Sequence, residues 1–221
     1  IRTMHVENLP TLTPKDFGSR VDSGRPILST DYFAEGPHLI RGHAHPRAQI
    51  LYPTRGVYRC RTPLGSWILP AGQALWIPPH IFHEIYAKDS VESLLMFIDE
   101  AYTDGLPKGC VVVEVSPLLH ELFFKAVSMG NEYAGDCRQS RVVQVLLDEI
   151  NDMRAAKLYL PLAQDKRVRK VMDLLIDQPG DAHALEELAA YAGTSMRNLT
   201  RLFKKETGMS FRDWRKQLLL V

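Results

Sequence analysis

The chain has 221 residues, 45% hydrophobic and 24% charged, with 27 Lys and Arg against 26 Asp and Glu, which suits one large domain or two smaller ones. No apolar run approaches the ~20 residues that span a bilayer and no basic-then-apolar leader opens the chain, so membrane insertion and secretion find no support and the cytoplasm is the expected compartment. Cys60, Cys110 and Cys137 are odd in number and lack any C-x-x-C spacing, which argues for buried thiols and against a disulfide framework or a cysteine zinc site.

Up to about residue 115 the apolar runs are short and broken by Pro and Gly, as in "AQILYPTRGVYRCRTPLGSWILPAGQALWIPPHIFHEIYA", "VESLLMFID" and "CVVVEV". Such β-rich runs predict an antiparallel sandwich or barrel. In "GHAHPRAQILYPTRG" (42–56), His43, His45, Arg47 and Gln49 all take odd positions. On a continuous strand these side chains share one face, which inside a barrel is the cavity. Gly72, Pro78 and His83 follow in the next segment.

The spacing His-x-His, three residues, Gln49, six residues, Gly56, with Gly72, Pro78 and His83 behind it, resembles the two motifs of the cupin superfamily over about residues 25–115. The resemblance implies a β-barrel or jelly-roll sensor domain over 1–115 and, as in metal-holding cupins, a ligand set built on His43, His45 and His83. Gln49 stands where those cupins carry Glu, His80 where the second motif usually has glycine, and Ala87 where it often has asparagine. An uncharged amide ligand suits Zn, Ni, Co or Fe better than a hard cation. The alternative is that the histidines line a polar pocket or bond to one another. Arg41, Arg47, Tyr52, Trp76 and His80 are the candidate pocket for a small aromatic or anionic effector, with plain barrel core as the other reading of the aromatics. Catalysis is not expected, because Glu84 and Tyr86 are the nearby acid–base candidates and neither stands at a catalytic position of the superfamily.

After Pro117 the character changes. "LLHELFFKAVSMG" and "SRVVQVLLDEINDMRAAKL" predict two helices. The second carries Val142, Val145, Leu146, Ile150 and Met153 on one stripe and Val143 and Leu147 on another, so two surfaces must cover it. One is the β domain; the other is either the same helix of a second protomer, which makes 116–160 a dimerisation segment, or the rest of its own chain. "YLPLAQD" (159–165) has a proline and no periodicity and is expected to be a linker.

The remainder, 161–221, is predicted all-helical. Val168, Val171, Met172 and Leu175 form one stripe, and Leu185, Leu188, Ala189 and Ala192 a second that ends at Gly193. Thr194 or Ser195 caps a helix with Met196, Leu199, Leu202 and Phe203 inward, ended by Gly208, and Phe211, Trp214 and Leu218 begin the last. Charge divides along the chain: residues 1–165 hold 16 Lys and Arg against 19 Asp and Glu, whereas 166–221 hold 11 against 7. A helix anchored on one side and basic on another suits the DNA major groove.

"LEELAAYAGTSMRNLTRLFKKETGMSFRDWRKQLLL" resembles, nearly position for position, the first helix-turn-helix of AraC/XylS-type transcription regulators. By position the resemblance implies base contacts from Arg197, Thr200 and Arg201, with Met196 beside them, and phosphate contacts from Lys204 and Lys205. That family carries two such units joined by a long helix; the sequence ends at Val221 inside the corresponding segment, and a lone unit is expected to bind DNA weakly.

The expected fold class is therefore multidomain α+β: a cupin sensor, a helical dimerisation segment and a homeodomain-like helix-turn-helix. The expected function is a homodimeric, sequence-specific regulator that binds double-stranded DNA and answers to a small molecule or metal ion, with no membrane partner. The alternative is a metal-dependent cupin enzyme, of dioxygenase or isomerase type, with a helical tail.

Overall fold

The computed structural model describes residues 17–22, 24–63, 65–154, 160–178, 180 and 183–219. By its contacts the chain divides into two units, Ile1–Pro63 with Leu69–Lys157 and Leu64–Ile68 with Leu158–Val221. The first unit is built on two antiparallel sheets. One has the order β1-β8-β3-β6-β9, with β1 Ile27–Ala34, β3 Ala48–Arg55, β6 Gln73–Ile77, β8 Val91–Ile98 and β9 Val111–Glu114. The other has the order β2-β7-β4-β5, with β2 His38–His43, β4 Val57–Thr62, β5 Gly65–Pro70 and β7 His83–Ala87.

Period-two alternation sorts the buried residues of the larger sheet. Ala48, Ile50 and Tyr52 of β3, Ala74 and Trp76 of β6, and Leu94, Met96 and Ile98 of β8 form a core with two helices, α1 (Pro117–Met129) and α2 (Arg138–Asn151). The helices contribute Leu119, Phe123 and Ala126, and Val143, Leu146, Leu147 and Ile150. The alternate residues Gln49, Leu51, Leu95 and Phe97 are also buried, on the opposite face, between the sheets. A Tyr58–Ser93 hydroxyl bond of 3.1 Å joins β4 to β8 across that interior. The sandwich and the two helices match the expectation. Of α2's two stripes, Val143, Leu146, Leu147 and Ile150 are covered within the chain, and Val145 is left 46% exposed.

β1 is an edge strand of its sheet, and such an edge offers backbone groups for unwanted pairing. Two side chains from the α1–α2 connection occupy it: Asn131 accepts from Ser29 N and donates to Ser29 O, and the Tyr133 hydroxyl bonds Ile27 N and O.

The second unit contains α3 (Lys166–Asp177), α4 (Leu185–Tyr191), α5 (Met196–Thr207) and α6 (Phe211–Leu218). Val168, Val171, Met172, Leu175, Leu188, Leu199, Leu202, Phe203 and Trp214 form its core. The expected linker 159–165 is corrected over its described part: Leu160, Leu162 and Ala163 are buried in this core, and Pro161 O accepts from Trp214 Nε1 at 2.7 Å. Proline stops helix formation without preventing packing. Gly193 turns the chain with φ +68°, and the turn closes by Gly193 N to Ala190 O and Thr194 N to Ala189 O. Ser195 then caps α5 by accepting from Asn198 N, and Gly208, at φ +72°, ends it. No described helix is long and apolar enough to cross a membrane.

Candidate functional sites in the barrel and on the basic helix

In the first unit His43 ends β2, His45 lies in the β2–β3 connection, His83 opens β7 and Gln49 is on β3. β2 and β7 pair in register at His43 and His83, which sets those rings side by side, tilted by 56°, with centroids 4.4 Å apart. His45 lies 5.2 Å from His83 and 5.6 Å from His43. One nitrogen from each ring falls within 4.8 Å of the other two.

Backbone carbonyls orient the rings. Nδ1–H of His43 donates to Arg41 O (2.8 Å), of His45 to Arg47 O (2.7 Å) and of His83 to Ile81 O (2.8 Å). A carbonyl only accepts, so each Nδ1 carries a proton, and Nε2 is the ligating atom of each ring in its neutral form. Nε2 of His83 is buried with no bonded partner, and burial, reinforced by the neighbouring imidazoles His43 and His45, pushes its pKa down to about 4. His83 is therefore neutral at physiological pH and keeps its lone pair. Nε2 of His45 stands 3.1 Å from Gln49 Oε1. Two acceptors face one another there unless a cation or proton lies between them or the amide is turned to donate.

These four residues fit a metal ion by chemistry: three imidazole nitrogens whose rings are held by backbone carbonyls, one nitrogen buried and unsatisfied, and an amide oxygen. In a tetrahedral zinc site neighbouring nitrogens lie about 3.3 Å apart, and here one nitrogen of each ring already lies within 4.8 Å of the other two. Two glycines make room. A Cβ on Gly18 would lie 2.5 Å from His45 Cγ, and one on Gly42 2.3 Å from the Phe82 ring, which lies over the backbone beside His43.

The expected effector pocket is corrected, because its five residues do not converge. Arg47, 1% exposed, leaves the histidine face: its guanidinium donates to the carbonyls of Arg20, Asp22, Arg25, Pro26 and Phe97 and pairs with Asp99 at 3.3 Å. Alternation fails because residues 44–47 are not strand. Tyr52 and Trp76 lie on the helix-facing side of the sheet, where Tyr52 bonds His120 (2.7 Å) and Trp76 Nε1 donates to Pro107 O (2.8 Å). Arg41 is exposed, and His80, at φ +62°, reaches Glu100 at 3.3 Å on the surface. A solvent-open hollow of about 380 Å³ lies elsewhere, where Glu114–Ser116 meets the start of α1 and the end of α2.

In the second unit α5 has one apolar side, Leu199, Leu202 and Phe203, all buried. Arg197, Arg201, Lys204 and Lys205 are exposed, and Met196 is 40% exposed. Thr200 is half-buried, and its hydroxyl donates back to Met196 O and Arg197 O. Lys204 and Lys205 occupy the last turn, where positive charge opposes the helix dipole. Sequence reasoning gave Thr194 only as a cap candidate and passed over Asn198, which bonds to it along this face, and Gly18 and Asp99 in the barrel unit. Gly18 and Asp99 meet partners that only the fold brings near, whereas Asn198 meets Thr194 and Arg201 within four residues.

Residues 32–97 match the family described as AraC-like ligand binding domain. The match runs from β1 to β8 of the first unit. Beyond it, the chain is 30% identical over 179 residues to the HTH-type transcriptional regulator NimR of Escherichia coli strain K12, covering 81% of this chain and 65% of NimR. A further 44% identity over 55 residues, 25% of this chain and 17% of the relative, is to the HTH-type transcriptional regulator RipA of Corynebacterium glutamicum. The chain thus spans less than two thirds of the length of these relatives. Among solved structures, the AraC-like transcriptional activator CuxR aligns over 90% of this chain and 77% of its own, at 14% identity and TM-score 0.44. The matched range contains all three histidines of the cluster, His43, His45 and His83.

Proposed function

We propose that the chain is a sequence-specific, DNA-binding transcription regulator in which the AraC-like ligand binding domain senses a small molecule or metal ion. The observation that carries this reading is α5: three buried apolar residues fix one side of the helix, while Arg197, Arg201, Lys204 and Lys205 stand in solvent on the rest. A major groove admits a helix of this kind, where Arg donates twice to guanine and Lys meets phosphate. The turn from Ala192 to Ser195 between α4 and α5 supports a homeodomain-like helix-turn-helix. The names of the relatives NimR and RipA agree.

In this proposal residues 1–115 sense, 116–160 join two copies through α1 and α2, and 161–221 bind DNA in the cytoplasm. Half-exposed Leu118 and Val145 supply apolar surface for a homodimer. In this proposal the sensor has no catalytic role, which the placement of Glu84 and Tyr86 supports, since both are half-buried and alternate away from buried His83 on β7. His43, His45, His83 and Gln49 would hold Zn, Ni, Co or Fe, with the ion supplying a positive charge that draws the rings together.

The test of the main reading is selection from a randomised duplex library with the purified chain. Enrichment of one sequence, bound with strong salt dependence, is the expected result; a chain that enriches nothing and ignores salt sinks it. For the metal, elemental analysis of freshly purified wild type against His83→Ala is expected to show a transition metal lost in the variant at unchanged secondary structure. Equal metal content in both removes the ion from the proposal.

A further inference from the structure

Resting on the reading of α5 as a duplex-reading helix, we propose that Asn198 is a positioning residue for Arg201, and that it governs how well the chain tells one DNA sequence from another. Asn198 and Arg201 are spaced i, i+3 on α5, so they are neighbours on its surface, and Thr194 stands just before the Ser195 cap. Arg201 Nη2 donates to Asn198 Oδ1 at 2.9 Å, and Asn198 Nδ2 donates to Thr194 Oγ1 at 2.8 Å. The far end of this hydrogen-bonded series is anchored: Thr194 N is bonded to Ala189 O of α4, and Asn198 N is bonded to the Ser195 cap. The position of a solvent-facing guanidinium is thereby tied to the turn between two helices.

The chemistry suits recognition. A free arginine side chain loses rotamer entropy on entering a groove; a partner that narrows its conformations lowers that cost. One Nη2 hydrogen is committed to Asn198, which leaves Nε, Nη1 and the second Nη2 hydrogen for a two-bond contact with a guanine edge. An amide oxygen holds the guanidinium without neutralising it, whereas a carboxylate there would cancel positive charge on a surface meant for a polyanion. Thr200, the polar neighbour on the same helix, has its hydroxyl bonded within the helix, and Asn198 is the acceptor that Arg201 uses among the described residues.

The experiment measures binding of the full chain to the duplex that wild type enriches and to a shuffled duplex of equal length, for wild type, Asn198→Ala, Thr194→Val, Arg201→Ala and Asn198→Ala/Arg201→Ala. Asn198→Ala is expected to cut the preference for the enriched duplex about three- to tenfold, with shuffled-duplex affinity and thermal midpoint unchanged, and to add nothing once Arg201 is alanine. Thr194→Val, which removes only the anchor, gives a smaller loss in the same direction. An Asn198→Ala variant that discriminates as wild type does, or whose effect adds fully to that of Arg201→Ala, overturns the proposal alone. A wild type that enriches no sequence overturns the DNA reading and this proposal with it.

Discussion

Arg47 turns the stretch from Arg20 to Pro26 into part of the barrel by spending every guanidinium nitrogen on it or on Phe97 and Asp99. Burial pushes its pKa down and Asp99 opposes that shift, which is the signature of a charge kept inside by its partners. Replacing it with a neutral side chain of similar length leaves several buried carbonyls and a carboxylate unmatched. Arg47→Met is therefore expected to cost about 3 to 5 kcal/mol in urea unfolding and to speed amide exchange over 20–26. A loss below about 1 kcal/mol, the scale of an exposed pair, would show that water replaces the guanidinium. Spacing alone made the histidine cluster legible, because His43 and His83 are set by strand pairing. It misassigned Arg47, because alternation was counted across four residues that are not strand, and nothing local to "HPRA" tells where a long side chain will find six oxygens.

Helices were the most legible elements, since their stripes, caps and glycine stops are local features; α5 begins at Ser195 and ends at Gly208 as the pattern predicts. "YLPLAQD" was less so. Its apolar residues lack a period because they enter the helical core from an extended segment, and only the folded unit supplies Trp214 to meet Pro161. That segment leads into α3 through Asp165, whose carboxylate accepts from Arg167 N and pairs with the Arg167 guanidinium at 2.7 Å. The side-chain bond to Arg167 is the main cause that lowers its pKa from 3.8 to about 2. A carboxyl with a depressed folded-state pKa adds stability that is fully present above its ordinary value and is lost as pH falls toward 2. Asp165→Ala is expected to destabilise the helical unit by about 1 kcal/mol at neutral pH. Asp165→Asn, which caps without titrating, flattens the acid limb of the unfolding curve between pH 3.8 and about 2. An unchanged acid limb in Asp165→Asn assigns the acid sensitivity to other carboxylates.

At the scale of the whole molecule, charge and core divide together. The sandwich with α1 and α2 lies in the stretch with more acidic than basic residues, and α3 to α6 lie in the stretch where 11 Lys and Arg face 7 Asp and Glu. Composition over the full chain conceals this, because its formal net charge is only +1. The two activities proposed for the units differ in how salt affects them. Binding of a neutral or metal ligand by imidazoles releases no condensed counterions, whereas each phosphate met by Lys or Arg does, so log affinity for DNA falls linearly with log salt. Lys204→Gln combined with Lys205→Gln removes two exposed cations from the last turn of α5 and is expected to lower the salt slope by about two. Affinity should fall equally for enriched and shuffled duplexes, because phosphates carry no sequence. Titrations at several salt concentrations check both statements. A double variant that keeps the wild-type slope would move the phosphate contacts to other cations, with Arg212, Arg215 and Lys216 the next ones C-terminal to the pair; a variant that loses discrimination without losing slope would make the two lysines readers of bases.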